Sequence, residues 1–184
     1  PNSPDALNTI FDQARERGIL VMMVNSDIPG FEEHRDLAIL PMDFDVTGPS
    51  QIELLGSMIN YEGQFAILSS TTDAPDQNYW IEGMKEALNN PKYANMELVD
   101  IVYGDDEPQK SQTEAEALLT RYPNLRGIIA PTTVGIASAA QVVELAGVYP
   151  GGENATGGGV VVTGLGSPDL MRRYVKEGVV EKFA

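Results

Sequence analysis

The sequence has 184 residues with 27 acidic and 12 basic side chains, which gives a formal net charge of −15 at pH 7. A chain this negative repels nucleic acid and anionic lipid, because both bind proteins through clustered Lys and Arg. Hydrophobic residues make up 42% of the chain, enough for a packed core, and this excludes disorder as the main state. The absence of cysteine excludes disulfides, cysteine nucleophiles, iron–sulfur clusters and thiolate zinc sites.

The ends of the sequence predict a piece of a longer polypeptide. The chain starts at Pro1 without a methionine or an apolar leader and stops at Ala184 without a tail. The two richest apolar stretches, 18–24 and 160–165, are far shorter than the roughly 20 residues that a membrane-spanning helix needs. We therefore expect a soluble protein.

The first 48 residues predict one helix and two strands. Apolar residues at helical spacing over 4–17 predict a helix with one buried stripe. The continuous apolar run 19–24 predicts a strand covered on both faces of a parallel sheet, and 37–40 predicts a short edge strand. The turn-rich stretch 42–48 marks the expected domain boundary.

From residue 48 onward a unit of helix, strand and turn repeats. Alternating strands and helices indicate crossover connections and an α/β fold with a doubly wound parallel sheet. The glycine-rich segment 149–159 predicts a mobile surface insertion. The predicted strands are 65–68, 98–103, 127–130 and 160–163, the predicted apolar helix stripes lie within 52–59, 80–88, 115–122 and 136–143, and a last helix spans 168–176.

The residues that follow the predicted strands are candidates for a ligand site, because such sheets bind ligands at the carboxyl ends of their strands. They are rich in short carboxylates, amides and hydroxyls, which hydrogen-bond neutral polyols well. No basic residue is among them, so a phosphorylated ligand would have little to pair with. The set comprises 25–27, 71–78, 104–105, 131–133, Gly164 and Gly166.

Each of these candidates also has a purely structural interpretation. Asp76 opens a predicted helix, where a carboxylate stabilises the helix dipole without any ligand. Asp27 fits an ordinary turn, and residues 131–133 fit the start of a helix near Val134. Trp80 could stack on the apolar side of a sugar ring, but its helical spacing favours core packing.

The sequence gives little support for catalysis, and we expect no enzyme, no cofactor and no metal. The single histidine, His34, lies in a charged loop, so a serine triad would lack a positioned base. The nearest match to a dinucleotide motif, 164–169, has Asp169 in place of the third glycine. The acidic run 105–107 lacks the EF-hand spacing and is interpreted as a solvated loop.

Five stretches in order along the chain resemble a known family. They are Val24-Asn25-Ser26-Asp27, Asp76-Gln77-Asn78-Tyr79-Trp80, Val102-Tyr103-Gly104-Asp105-Asp106, the stretch 128–136 around Pro131-Thr132-Thr133, and Val162-Thr163-Gly164-Leu165-Gly166-Ser167-Pro168. The resemblance is to the type I periplasmic binding proteins of sugar ABC transporters. Within that family the chain is most similar to the rhamnose-binding group and the related autoinducer-2 receptors.

The resemblance implies two Rossmann-like, doubly wound lobes that close on a ligand through a hinge, one of them incomplete here. Residues 1–46 would form a partial N-terminal lobe, 47–178 the C-terminal lobe, and 179–184 the start of a hinge strand that crosses back. The missing parts would be the beginning of the N-terminal lobe, which carries a ligand-binding lysine, and the C-terminal end.

The resemblance also implies the residues of the site. The autoinducer-2 receptor pattern carries over to Asp27, Asp76, Gln77 and Pro131, while Thr133 occupies the position of an alanine in that pattern. This departure, and the stretch 131–136, favour the rhamnose group. Asn25 and Trp80 complete the residues that we expect to contact the ligand.

The expected function is therefore that of a periplasmic, or lipid-anchored extracellular, binding protein for a neutral, rhamnose-like monosaccharide. The expected partners are the sugar and a membrane permease, with no nucleic acid, and the protein is expected to be a monomer. The alternatives are an autoinducer-2 receptor and the ligand-sensing domain of a sugar-responsive transcription repressor, with a doubly wound enzyme in third place.

Overall fold

The computed structural model describes residues 6–25, 27, 32–40 and 42–184, which form a parallel α/β structure with two sheets. The elements, in chain order, are α1 (Asn8–Glu16), β1 (Met22–Val24), β2 (Leu37–Ile39), α2 (Phe44–Ile59), β3 (Glu62–Ser69), α3 (Pro75–Ala87), a 3-10 turn (Pro91–Tyr93), β4 (Asn95–Tyr103), α4 (Pro108–Arg121), β5 (Leu125–Ala130), α5 (Thr133–Leu145), β6 (Val161–Gly164) and α6 (Pro168–Lys176).

The larger sheet has the strand order β4-β3-β5-β6, and all three of its pairings are parallel. The chain goes from β3 outward to β4 on one side and then returns to place β5 and β6 on the other side. The strand order therefore reverses between β3 and β5. This confirms the predicted doubly wound sheet and makes the carboxyl ends of these two strands the expected ligand position.

Helices cover both faces of the larger sheet, which explains its continuous apolar strands. Phe65 and Ile67 point into a cluster formed mainly with α2 and α3, whereas Ala66 and Leu68 point into a cluster formed mainly with α4, α5 and α6. Because successive side chains of a strand alternate between the faces, both sets are buried. The strands predicted from apolar runs in this region are confirmed.

The smaller sheet pairs β1 with β2 in parallel, with Met23 opposite Ala38. The prediction that 19–24 is covered on both faces is wrong for the described structure, because only Met23 of β1 is buried. Leu20 is 69% exposed and Val24 is 61% exposed. The buried stripe predicted for the first helix is also wrong, since α1 has no buried residue.

Helix α2 begins inside the stretch 42–48 that was predicted to be a turn-rich boundary. Asp43 occupies the N-cap, where its Oδ1 accepts a hydrogen bond of 3.0 Å from the amide of Asp45. Gly48 lies within α2 and allows α2 to approach α3 closely, because a Cβ at Gly48 would lie 2.2 Å from the carbonyl oxygen of Trp80. The lobe boundaries predicted above stay predictions.

Two segments beside β6 are fixed by backbone hydrogen bonds. In the glycine-rich segment 149–159 and its flanks, Asn154 N–H donates to the Gly147 carbonyl at 2.8 Å, and Val160 N–H donates to the Val148 carbonyl at 2.8 Å. At the end of the chain, Ala184 donates to Gly164 and accepts from Gly166, which is the pattern of a parallel strand pair.

No helix within the described ranges is long and apolar enough to span a membrane.

Candidate functional site

The candidate site lies at the edge of the larger sheet where β3 and β5 end. Helix α3 follows β3 and begins at Pro75, and helix α5 follows β5 and begins at Thr133. The two strands are hydrogen-bonded neighbours, so both helix N-termini lie at this edge. Helix N-termini carry free N–H groups and a partial positive charge, which favours oxygen-rich ligands.

Gln77 has a fixed amide orientation at this edge. Its Oε1 accepts hydrogen bonds from the Ser69 hydroxyl at 2.7 Å and from the Ser70 backbone N–H at 2.9 Å. Because a backbone N–H can only donate, the atom that it contacts must be the amide oxygen. The Nε2 group has no hydrogen-bond partner among the described residues, and the side chain as a whole is buried. Gln77 therefore offers a donor to a ligand.

Asp76 offers an acceptor next to that donor. One carboxylate oxygen, Oδ1, accepts a hydrogen bond of 2.9 Å from the Gln77 backbone N–H, as the helix-capping interpretation predicts. The other oxygen has no hydrogen-bond partner in the part of the chain that the structure describes, and the residue is half-buried. Asp76 can therefore stabilise the start of α3 and still accept a hydrogen bond from a ligand.

Pro131 and Thr133 form the part of the edge that follows β5. Pro131 is buried and Thr133, the first residue of α5, is half-buried. Gly135 allows α5 to lie close to the sheet, because a Cβ there would be 2.8 Å from the Thr132 methyl group and 3.2 Å from the Leu68 carbonyl oxygen. Pro131 contributes an apolar ring and Thr133 a hydroxyl to this part of the edge.

Thr132 does not cap α5 with its side chain, although it occupies the N-cap. Its hydroxyl instead donates to the carboxylate of Asp106 in the loop after β4. Asp105 and Asp106 both have left-handed backbone, with φ of 54° and 53°, and the Asp105 amide donates to the Ser70 carbonyl at 2.8 Å. The acidic run is exposed, as predicted, but it also links the ends of β3, β4 and β5, which sequence reasoning missed.

Trp80 is a core residue, as its spacing favoured. It is 5% exposed and contacts Phe44 edge to face, with ring centroids 5.5 Å apart. Its indole N–H is buried and has no hydrogen-bond partner in the described ranges. Trp80 thus packs one helical turn behind Asp76, between α3 and α2, and a contact with a ligand stays a prediction.

Asn25 and Asp27 follow β1 and belong to the smaller sheet. Asn25 is exposed, has a left-handed φ of 74°, and donates its backbone N–H to the Ile39 carbonyl at 3.0 Å. Ser26, between them, lies outside the described residues. The two residues therefore follow β1, whereas the other five predicted site residues follow strands of the larger sheet.

Asp27 is paired with Arg35, a residue that sequence reasoning missed. Arg35 Nε lies 3.0 Å from each carboxylate oxygen, and Nη2 lies 2.5 Å from Oδ2. The hydrogen bonds that Arg35 donates to the Asp27 carboxylate raise the pKa of Arg35. The predicted set of candidates contains no basic residue, and the structure adds one beside it by pairing Arg35 with Asp27. Arg35 lies two residues before β2, and no motif singled out in the sequence pointed to this pair.

Comparison with known proteins places the chain in a family. A family model described as a periplasmic binding protein domain matches residues 1–184. A sugar ABC transporter structure from Actinomyces odontolyticus is 37% identical, with a TM-score of 0.76, over 99% of this chain and 55% of that one. A solute-binding protein from Clostridium phytofermentas with bound L-rhamnose is 32% identical, with a TM-score of 0.83, over 94% of this chain and 50% of that one.

A third solved structure, a solute-binding protein from Burkholderia graminis in complex with D-arabinose, is 25% identical with a TM-score of 0.78. It is matched over 97% of this chain and 58% of its own length. The chain thus spans little more than half the length of these solved relatives. With its doubly wound parallel sheet, the chain belongs to the periplasmic binding protein family, a family of substrate-binding proteins rather than enzymes, and has the type I fold of that family.

Proposed function

We propose that the chain is part of the sugar-binding protein of an ABC transporter and that it binds a neutral, rhamnose-like monosaccharide. The observation that carries the proposal is the outward donor of Gln77 beside the free acceptor of Asp76, at the point where the strand order reverses. Thr133 and Pro131 line the same edge. Asn25 and Asp27 supply the polar groups on the other side of the ligand.

The chemistry of this edge suits a sugar. Each hydroxyl of a sugar both donates and accepts a hydrogen bond, so an acceptor and a donor on consecutive residues match two neighbouring hydroxyls. Lys110, in the helix that follows β4, is paired with Asp105 at 2.6 Å. Because its charge is already balanced, it does not call for an anionic ligand, which supports an uncharged one. Pro131 adds an apolar group at this edge, which suits the methyl group of a 6-deoxyhexose.

The solved relatives support the ligand class. The relative that is 32% identical holds L-rhamnose, and the one that is 25% identical holds D-arabinose. Both ligands are uncharged monosaccharides. We infer the same class for this chain, with L-rhamnose as the first sugar to test.

The proposed mechanism is closure on the sugar. A ligand that contacts Asp27 on one side and Asp76, Gln77 and Thr133 on the other binds the closed arrangement more tightly than the open one, and so shifts the population toward it. The closed, loaded protein then delivers the sugar to a membrane permease. In this proposal the protein acts as a monomer in the periplasm or on a lipid anchor outside the cell, and it does not bind nucleic acid.

Thr133 separates this proposal from an autoinducer-2 receptor. Its hydroxyl adds a hydrogen-bonding group where the receptors that the sequence resembles have an alanine methyl. A hydroxyl left without a partner beside a bound ligand is unfavourable by about 1–3 kcal/mol. We therefore expect the site to favour a ligand that offers Thr133 a partner, and autoinducer-2 is included below as a competitor.

The test is calorimetric titration of the longest natural form of the polypeptide with L-rhamnose, D-arabinose, D-fucose and autoinducer-2. In Gln77→Glu the carboxylate can still accept from Ser69 and Ser70, but it replaces the outward donor with an acceptor beside Asp76. We expect sugar affinity to fall by about tenfold or more, as for a lost hydrogen bond within a buried site. Gln109→Glu, on the exposed surface of α4, is the matched control and should bind like the parent.

Three results would contradict the proposal. If the parent binds none of the three sugars, the proposed function is wrong. If the parent binds but Gln77→Glu binds equally tightly, the ligand lies elsewhere on the molecule. Tighter binding of autoinducer-2 than of any sugar would replace the rhamnose-like ligand with the receptor function.

A further inference from the structure

The ion pair between Asp27 and Arg35 is the feature that the resemblance did not account for. Three contacts join the side chains, at 3.0, 3.0 and 2.5 Å, and they use both carboxylate oxygens. The side chains are 14% and 17% exposed, so water solvates neither charge fully. Asp27 is thus held in one orientation with its charge balanced.

This pairing changes what the Asp27 end of the site presents to a ligand. The oxygens of a lone carboxylate would accept hydrogen bonds from hydroxyl groups, and its full negative charge would repel anions. Paired with Arg35, it retains lone pairs that can still accept, while the net charge of the pair is zero. The second terminal nitrogen of Arg35, Nη1, has no partner among the described residues and adds donor groups next to the acceptors.

We propose that Arg35 is a positioning and specificity-determining residue that holds Asp27 for the ligand and, by cancelling its charge, makes this site select uncharged sugars over sugar acids. The inference rests on the proposed function, because it assumes that a sugar lies beside Asp27. It goes beyond that function by naming the group that sets the charge preference.

The charge argument predicts opposite effects of the two single substitutions. Asp27→Asn leaves the Arg35 charge unpaired, which attracts the carboxylate of a sugar acid. Arg35→Gln leaves the Asp27 charge unpaired in a poorly solvated position, which repels that carboxylate. The double variant Asp27→Asn/Arg35→Gln is neutral again and can keep an amide-to-amide hydrogen bond.

The experiment measures the affinities for L-rhamnose and for D-galacturonate at pH 7 in the longest natural form of the polypeptide, and compares their ratio among variants. We expect Asp27→Asn to shift the ratio toward D-galacturonate by about tenfold, as for one charge–charge contact near a protein surface. Arg35→Gln should shift it the other way, and the double variant should return to within about threefold of the parent. Raising the salt concentration should reduce both shifts.

Two further variants separate charge from folding. Arg35→Lys keeps the charge but loses the two-point contact, so affinity for both sugars should fall while their ratio stays that of the parent. Arg15→Gln removes a half-buried guanidinium of α1 that pairs with Asp36, and it should leave both affinity and ratio unchanged. The thermal midpoint of each variant shows whether a loss of binding reflects unfolding.

The outcomes distinguish the inference from the function on which it rests. If the parent binds neither sugar, the proposed function and this inference both fail. If the parent binds L-rhamnose but the ratio is the same in Asp27→Asn, Arg35→Gln and the parent, the pair is structural only and the inference alone fails. A ratio that changes in Arg35→Lys as much as in Arg35→Gln would also overturn it.

Discussion

The two sheets of this chain are built from similar apolar strands but are covered very differently. In the larger sheet, strands such as β3 place consecutive residues from Phe65 to Leu68 in complete burial between two layers of helices. In the smaller sheet, β1 buries Met23 alone, against Phe11 and Ala38, and exposes 45% of Met22. The continuous apolar run is longer at β1, where it spans 19–24, than in β3, where it spans 65–68.

The difference shows that an apolar run makes a strand suitable for burial, whereas the elements packed on each face of the sheet determine whether it is buried. The larger sheet has α2 and α3 on one face and α4, α5 and α6 on the other. In the described part of the first 40 residues, α1 is the helix beside β1, and it contributes only Phe11 to that contact. Burial of the strand 22–24 therefore could not be inferred from its own residues.

The largest expected contrast between the two regions is in side-chain truncation. Phe65→Ala removes a fully buried ring from the larger sheet and should lower the free energy of unfolding by about 3–5 kcal/mol. Met22→Ala, in the half-exposed row of β1, should change it by less than about 0.5 kcal/mol. Urea unfolding followed by far-UV circular dichroism measures both. Equal losses would mean that β1 is packed as tightly as β3.

A smaller contrast concerns acid stability. Glu53 accepts hydrogen bonds from Lys92, Tyr93 and Tyr61, with oxygen-to-donor distances of 2.7 to 2.9 Å, and these bonds lower its pKa to about 2. Because the folded-state pKa lies below the ordinary value of 4.5, this stabilisation is present above pH 4.5 and is lost as the pH falls toward 2.

The test compares the thermal midpoints of the parent, Glu53→Gln and Asp36→Asn between pH 2 and pH 7. The parent should lose stability between pH 4.5 and 2, and Glu53→Gln should lose less over that range. Asp36 in the smaller region also has a lowered pKa, chiefly because the Val21 amide donates to it, so Asp36→Asn should show a weaker effect of the same sign. Glu116→Gln, on the exposed surface of α4, is the control. If Glu53→Gln lost as much thermal midpoint as the parent between pH 4.5 and pH 2, the account would be contradicted.

Much of the larger sheet could be predicted from the sequence, because the residue patterns of its single elements agree with the alternation of strands and helices along the chain. Helix α6 has the predicted bounds, Pro168 to Lys176. Proline favours the first position of a helix and Gly178 follows its end, so both boundaries are marked in the sequence. The start of α2 was misjudged because Gly48 and Pro49 have the composition of a turn. In the structure, Gly48 is instead the contact point of α2 with α3.

The candidate site could be predicted only in part. The positions of Asp76, Gln77 and Pro131 follow from the rule that strand ends carry ligand groups, since the rule needs only the strands. The contacts of Arg35 with Asp27 and of Asp106 with Thr132 escaped notice because the partners are 8 and 26 positions apart along the chain. Contacts of this kind depend on which strands become neighbours, and no local pattern records that.

The measurement that tests the central claim most directly is an NMR titration of the 15N-labelled protein, in its longest natural form, with L-rhamnose. The side-chain amide group of Gln77, whose oxygen is held by Ser69 and Ser70, is the reporter. The account predicts that its Nε2 resonances shift in a saturable way, together with the backbone amides of Asp76 and Thr133. Saturable shifts that leave the Gln77 side chain and these two amides unmoved would contradict it.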